Sequence, residues 1–335
     1  MKSTVGVAVV GLGVGEAHAR AYARLAACSL RWVYDIDRER ARTISDQLGH
    51  GAVADSYAAV LADPDVDAVS IASYDEAHFE QVVASLQAGK HVFVEKPLCR
   101  TIDELRSIRR CWSAGGSLHL RSNLVLRTAP LYRWLKAAVT SGELGDIYAF
   151  DGDYLYGRLH KITGGWRSSV DDYSVLAGGG VHLLDLMLWI TGQRPTRVTA
   201  VGNRICTAGT PFRQPDFAAA TFQFDSTMVG RLTANFGCVH RHQHAVRVFG
   251  TKATFVYDDQ GPHLHVSRDP DEPPRRIELD ALPSTKGDLI PEFVAGIVDR
   301  ADTVAATEHD FAVIAACVAA ERALGRGEPM DVEYV

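Results

Sequence analysis

Along the first third of the chain, apolar and polar residues fall into alternating blocks. Short β-branched runs at Val5–Val10, 30–34, 68–72 and His91–Val94 are separated by longer segments with a single apolar face. Runs that are apolar throughout predict strands buried on both faces, and the amphipathic segments between them predict crossover helices. Helices are expected at 16–27, Arg38–Leu48, 57–61 and 76–88, the last ended by Gly89. Thr101 with Glu104 three residues later is a capping box that opens one more helix, and 118–120 is the last strand of this part. The texture changes after Arg121. A helix at 130–141 ends at Gly142, a strand alternates over 148–156, and a glycine-rich polar stretch runs to Gly180. Alternating strands at 218–224, 228–234, 245–249 and 254–257, separated by turn residues, predict an antiparallel meander. Helices at 289–300 and 309–324 close the chain, the second followed by Gly325 and Gly327. The expected class is α/β. A doubly wound parallel sheet over residues 1–121 precedes an α+β domain over 122–335 with a large open, mostly antiparallel sheet.

Composition narrows the partners. The chain has 335 residues, 47% hydrophobic and 23% charged, enough for two domains with cores of their own. Lys and Arg number 35 against 41 Asp and Glu, a net charge of −6. Nucleic-acid binders carry a basic excess or stripe, so that partner class is excluded, while a local basic pocket for an anion stays allowed. The cysteines at 28, 99, 111, 206, 238 and 317 are at least 12 residues apart. That spacing offers no zinc or redox pair, and free thiols in a reducing cytoplasm are expected. Val5 to Gly15 imitates a signal peptide, but Glu16, His18 and Arg20 follow at once with no small-residue cleavage site. No run approaches the roughly 18–20 apolar residues of a membrane span, so a cytoplasmic protein is expected.

Gly11-Leu12-Gly13-Val14-Gly15 follows the first strand directly and opens a helix. Gly11 permits the tight turn, Gly13 lets a pyrophosphate approach the backbone, and the helix start offers N–H groups and a positive dipole end. Asp35 closes the second strand 22 residues after Gly13, where a carboxylate accepts from a ribose diol and repels a 2′-phosphate. A Rossmann half binding NAD is therefore expected, through Gly11, Leu12, Gly13, Val14, Gly15 and Asp35. Two features pull the other way. Glu16 stands where the third glycine of the G-x-G-x-x-G pattern belongs, and Arg38 and Arg40 are placed to embrace a 2′-phosphate. NADP is the second cofactor in view, with Arg38 as a contact.

The most specific feature is Gly89-Lys90-His91-Val92-Phe93-Val94-Glu95-Lys96-Pro97-Leu98. A lysine at the carboxyl end of a parallel strand lies where open α/β sheets bind ligands. Partly desolvated and near a positive nicotinamide ring, its ammonium would release a proton readily and serve as a shuttle. Several further runs occur in order. They are the Gly11 loop with His18 after it, the run 67–72 followed by His78, Arg127-Thr128-Ala129-Pro130, Gly142-Glu143-Leu144-Gly145-Asp146-Ile147, Gly178-Gly179-Gly180 and His182-Leu183-Leu184-Asp185. With these, the sequence resembles the Gfo/Idh/MocA family of nicotinamide-dependent oxidoreductases over essentially its whole length.

The resemblance implies that Lys96 is the acid/base, that a cis peptide precedes Pro97, and that His182 faces the substrate hydroxyl. Asp185, one helical turn on, would orient His182 or bind substrate. It also implies cofactor contacts at Ser73, His78, Glu95 and Lys96, no metal, and a homodimer or homotetramer built through the C-terminal sheet. One departure stands out. The family pattern carries Asp or Asn four residues before this histidine, and here that place is Gly178. Asp153, Asp171, Asp172 and Tyr173 are the candidate substitutes, with Tyr173 kept as a catalytic candidate.

Between Asp151 and Arg167 the chain is dense in planar and charged groups. Such groups hydrogen-bond a polyol while an aromatic face meets its C–H groups, and the arginines would equally suit a phosphate. The expected substrate contacts are Tyr154, Tyr156, Arg158, His160, Trp166, Arg167 and Asp185, with Asn123 and Arg127 at the domain boundary. His240, His242 and His244 alternate, which in a strand puts them on one face. No acid or cysteine in register supports a metal, so an interface or solvent-facing polar stripe is expected. The expected reaction moves a hydride between nicotinamide and a secondary alcohol or ketone of a sugar, cyclitol, aminosugar or nucleotide-sugar, in a crevice where Lys96 and His182 meet. The alternatives are a non-catalytic nucleotide or sugar sensor on the same scaffold, and an enzyme that retains and recycles its nicotinamide.

Overall fold

The computed structural model describes residues 4–335. The apolar runs of the first third form β1 (Val5–Val10), β2 (Cys28–Tyr34), β3 (Ala52–Val53), β4 (Ala68–Ile71), β5 (His91–Val94) and β6 (Leu120–Ser122). All pair parallel, in the order β3-β2-β1-β4-β5-β6. β1 and β4 are buried at every position, as a parallel sheet covered on both faces requires. The cover comes from α1 (Gly15–Ala23), α2 (Arg38–Leu48), α3 (Tyr57–Ala62), α4 (His78–Gln87) and α5 (Ile102–Ala114). α5 opens with the expected box: Thr101 Oγ1 accepts the Glu104 N–H, and the Glu104 carboxylate accepts the Thr101 N–H. α1 ends at Ala23, short of residue 27, because the Leu25 and Ala27 carbonyls accept the N–H groups of Cys28 and Val5 and turn the chain into β2. The two-residue β3 is too short to show a period and was not expected. The strand order reverses between β1 and β4, and the loops after β1, β4 and β5 share the carboxyl edge of the sheet.

The second sheet follows α6 (Pro130–Thr140) and holds nine strands. They are β7 (Ile147–Leu155), β8 (Pro195–Asn203), β9 (Phe217–Phe224), β10 (Val229–Asn235), β11 (Gln243–Gly250), β12 (Thr254–Asp258), β13 (Gly261–His265), β14 (Arg275–Arg276) and β15 (Met330–Asp331). The order is β14-β13-β12-β11-β7-β10-β9-β8-β15. The expected meander exists in two pieces, β8-β9-β10 and β11 to β14, all antiparallel. β7 sits between them, antiparallel to β11 and parallel to β10. The glycine-rich stretch folds as α7 (His160–Thr163), a tight turn at Trp166–Ser169 and a widened π-type turn at Leu176–Gly180 that leads into α8 (Val181–Thr191). α8 lies close on the sheet: a Cβ at Gly152 of β7 would stand 3.2 Å from Leu183, and one at Gly230 of β10 would overlap Met187.

The chain makes two compact units. The first uses the described residues through Thr128, then 283–314 and Val335; the second uses 129–282 and 315–334. This corrects the expected single boundary at residue 121, because the chain returns to the first unit with α9 (Ile290–Asp299) and the start of α10 (Val304–Arg326). Leu289, Ile290, Phe293 and Val294 complete the apolar core around Val5, Val7, Val9, Tyr22 and Phe93, with the Phe93 and Phe293 rings 5.4 Å apart. Asp310 adds a polar anchor, accepting the Ser122 N–H at 2.8 Å and pairing with Arg121 and Arg127. Helical periodicity shows that a face is buried, not which sheet buries it. Among the described residues no helix is long and apolar enough to cross a membrane, and all six cysteines are free thiols.

Candidate active site

In the first unit, Gly11 has φ +80°, and a Cβ there would come within 2.5 Å of the Ala72 carbonyl oxygen and the Ser73 nitrogen. Only glycine lets the end of β1 pass this close to the end of β4. A Cβ at Gly13 would meet nothing within 4 Å, so the loop is open on that side. α1 begins at Gly15, and its N-cap, Val14, supplies no side-chain cap to the first-turn N–H groups. The buried Asp35 carboxylate accepts the Leu12 N–H at 2.6 Å and the Asp37 N–H at 2.8 Å, pinning the loop. Arg38 is ion-paired with Asp55, while Arg40 stands 3.7 Å from Asp35 and 3.6 Å from Asp37. An open glycine cradle, a helix start and a fixed carboxylate fit a dinucleotide with an unmodified ribose.

The loops after β4 and β5 are tied together by His78. Its Nδ1 lies 2.7 Å from the Pro97 carbonyl oxygen and its Nε2 3.2 Å from the Ser73 carbonyl oxygen. Ser73 itself donates to Gln81 at 2.6 Å. The Lys96–Pro97 peptide is cis, as the resemblance implies. Beside it, Glu95 lies 3.1 Å from His18 Nε2 and accepts from Asn123 Nδ2 at 2.6 Å. His18 Nδ1 continues to Ser70 at 3.0 Å, and Asn123 also donates to the Lys286 carbonyl at 2.8 Å. Burial alone would push the Glu95 carboxyl up. The hydrogen bond and charge of His18, the Lys96 charge and the Asn123 bond outweigh it and hold the group at about 2. Asn123 therefore supports Glu95, and Arg127 is buried against Asp310 at 2.7 Å; both were expected to meet substrate.

In the second unit, α8 and β7 build a box around His182. The His182 ring stacks 6.5 Å from Tyr154 and stands edge-on to His244 at 6.1 Å. Phe236 packs on Tyr154 at 5.5 Å and on Tyr156 at 4.4 Å. Burial pushes the Tyr154 phenol well above its ordinary range, so it stays neutral. Arg158 lies over the Tyr156 ring at 5.7 Å, and Arg167 over Trp166 at 4.5 Å. Asp185 is wholly buried one turn after His182, whereas His160 is exposed on α7.

Two residues of the box, His242 and His244, were expected on an interface or solvent-facing stripe with His240. The structure corrects this. His240 lies outside β11 and bonds Asp259 at 3.0 Å, while the His242 and His244 rings meet at 4.9 Å beside Tyr154. His244 pairs in register with Tyr154, which puts both on the face toward α8. The alternation was legible, but its direction depended on β11 pairing with β7. Among the described residues no group of three or more His, Cys, Asp or Glu is arranged for a metal.

Gly178 and Gly179 have a steric reason. A Cβ at Gly178 would overlap the Tyr173 hydroxyl, and one at Gly179 would overlap the Tyr154 ring. Of the four candidate substitutes, Tyr173 is the one at that place. Asp153 pairs with Arg247 and Thr233 across the strands, and Asp171 and Asp172 are exposed.

A Rossmann cradle followed by a helix-on-sheet unit with a polar and aromatic box is the plan of a nucleotide-dependent oxidoreductase. Residues 5–118 match the family model described as an oxidoreductase family with an NAD-binding Rossmann fold, and residues 132–256 match the GFO/IDH/MocA C-terminal domain. The chain belongs to the Gfo/Idh/MocA family of NAD-binding oxidoreductases. It is 30% identical over 262 residues to an inositol 2-dehydrogenase of Acidothermus cellulolyticus, covering 77% of this chain and 74% of that protein. A 1,5-anhydro-D-fructose reductase of Ensifer adhaerens is 32% identical over 174 residues, 49% of this chain and 50% of the reductase. Levoglucosan dehydrogenase in complex with NADH and levoglucosan shares the fold, with a TM-score of 0.87 at 20% identity over 99% of this chain and all of that one.

Proposed function

We propose that the protein is an NAD-dependent dehydrogenase of cyclic polyols or sugars, exchanging a hydride between nicotinamide and a secondary alcohol or its ketone. The observation that carries this reading is Lys96, at the carboxyl edge of β5 beside a half-buried, ionised Glu95 and on the same edge as the Gly11 loop. NAD, when bound, supplies the hydride acceptor; Gly11, Gly13 and the first turn of α1 would hold its phosphates, and Asp35 a ribose. In the oxidation direction Lys96 takes the hydroxyl proton while His182 polarises the same oxygen. Tyr154, Tyr156 and Trp166 offer flat apolar faces to ring C–H groups, and Arg158 and Arg167 offer donors to hydroxyls. The relatives named for inositol and anhydro-sugar chemistry support a cyclic substrate. Asp35, with Arg40 already held between Asp35 and Asp37, favours NAD over NADP.

The reading includes a cytoplasmic enzyme that assembles as a homodimer or homotetramer through the open face of the nine-stranded sheet. Val201, Val229 and Phe249 lie on that face with the Arg231–Asp151 and Arg247–Asp153 pairs, and light scattering tests it. Activity is tested by following NADH absorbance with myo-inositol, scyllo-inositol and levoglucosan in the forward direction and 1,5-anhydro-D-fructose in reverse. Lys96→Ala and His182→Ala are each expected to lower kcat by about 10²- to 10⁴-fold. No turnover of any of these compounds, or undiminished turnover by Lys96→Ala, overturns the reading.

A further inference from the structure

Three elements of the first unit meet at one carboxylate oxygen. His18 of α1 and Asn123, which follows β6, both reach Glu95 Oε1, at 3.1 and 2.6 Å. An ionised carboxylate only accepts, so His18 Nε2 carries the proton of its contact. The two N–H groups of the Asn123 amide go to Glu95 and, at 2.8 Å, to the Lys286 carbonyl. Each donor is itself held. His18 is wholly buried, with Nδ1 3.0 Å from the Ser70 hydroxyl of β4 and its ring edge-on to Phe93 of β5 at 5.4 Å. The Asn123 N–H donates to the Val94 carbonyl at 2.7 Å. The Glu95 N–H donates to the Ile71 carbonyl at 2.8 Å, so main chain and side chain of the residue before Lys96 are both fixed. The titratable groups acting on this carboxylate are His18 of α1 and Lys96, while the Asn123 amide and the Lys286 carbonyl behind it are neutral.

We infer that His18 and Asn123 are positioning residues for Lys96: together they hold the Glu95 carboxylate as a fixed anion beside the lysine, and so govern how readily Lys96 gives up its proton. This rests on the dehydrogenase reading for what Lys96 does with that proton, and deepens it by naming the groups that control the step. An anion held in place favours the ammonium form of a neighbouring lysine. That form donates a proton to a ketone, and the neutral form accepts one from an alcohol. The effect depends on the anion staying where it is and staying charged. Two donors from separate elements converge on the same oxygen, and they oppose both rotation of the carboxylate and its protonation.

The test uses the full-length protein and two readouts. Trace labelling with acetic anhydride, followed by mass mapping of the Lys96 peptide and normalised to the exposed Lys252, reports how much of Lys96 is neutral without requiring turnover. Glu95→Gln keeps the shape and removes the charge, and is expected to raise Lys96 labelling at pH 8 about tenfold. His18→Leu and Asn123→Leu are each expected to raise it about threefold, since a carboxylate that loses a donor takes up a proton or leaves its place. Both are expected to add nothing in the Glu95→Gln background. His18→Gln returns an N–H to the carboxylate and is expected to label like wild type. With whichever compound of the panel is oxidised, the acid limb of the kcat profile is expected to move down by about one pH unit in Glu95→Gln. Unchanged Lys96 labelling in Glu95→Gln, or leucine effects that persist at full size in that background, overturns the inference. Glu95→Gln is isosteric, so its result stands whether or not the leucine variants fold. If the compounds are turned over and labelling does not move, only this inference fails. If labelling moves as expected and no compound is turned over, the dehydrogenase reading fails while His18 and Asn123 keep their assignment to Lys96.

Discussion

Glu95→Gln tests whether the first unit holds an ionised carboxylate beside Lys96. The substitution keeps the shape of the side chain and removes its charge, leaving His18 and Asn123 around a neutral amide. The ordinary glutamate value of 4.5 and the folded value of about 2, at about 1.36 kcal/mol for each tenfold change in proton affinity, correspond to roughly 3 kcal/mol of stability. Because the folded value is depressed, the unfolded chain binds the proton more tightly. The stabilisation is therefore complete above about pH 4.5 and drains away as the pH falls toward 2. The assay is urea unfolding read by hydrogen-exchange protection of the β5 amides, for wild type and Glu95→Gln at a series of pH values. The stability gap between the two proteins at pH 7 should exceed the gap near pH 2 by roughly 3 kcal/mol. A gap that does not change with pH would refute the reasoning.

Three further outcomes follow from the geometry. Gly11→Ala places a Cβ against the Ala72–Ser73 backbone at φ +80°, a conformation costing about 1–2 kcal/mol before any overlap; NADH affinity should fall at least about tenfold in a fluorescence titration, and unchanged affinity would remove Gly11 from the cradle. Asp310→Asn leaves Arg121 and Arg127 facing a neutral group inside the first unit, and should cost about 3–5 kcal/mol, seen as a lowered melting temperature. Thr101→Ala deletes half of the capping box of α5, and should cost about 1 kcal/mol with faster exchange of the first-turn amides.

The first sheet and the cradle were legible because their signals are local. A β-branched run, a glycine loop and an acid at the end of the next strand are neighbours in sequence, and they became β1, the Gly11 turn and Asp35 bonding Leu12. The cis peptide before Pro97 was implied by the family resemblance. The substrate-side candidates were harder to separate. Tyr154, Tyr156, Arg158, Trp166 and Arg167 share one box with His182, but Asn123 and Arg127 turned to Glu95 and Asp310, groups distant in the chain. Nothing local marks Asp310 as the neighbour of Arg127, since it lies in a helix whose periodicity is the same whatever sheet it covers.

By itself, the sequence determined most of the strands and helices of the first sheet, where the glycine loop after β1 lies, and that a lysine follows β5 and a histidine stands near the start of α8. Those are matters of backbone preference and short-range spacing. The tertiary structure alone decided that α9 returns to the first sheet, that β7 enters the second sheet between β10 and β11, and that this insertion brings His244 opposite Tyr154. It also decided what Gly178 is for. A glycine in a sequence records only a missing side chain; the Tyr173 hydroxyl that takes its room becomes visible only once the chain has folded over it.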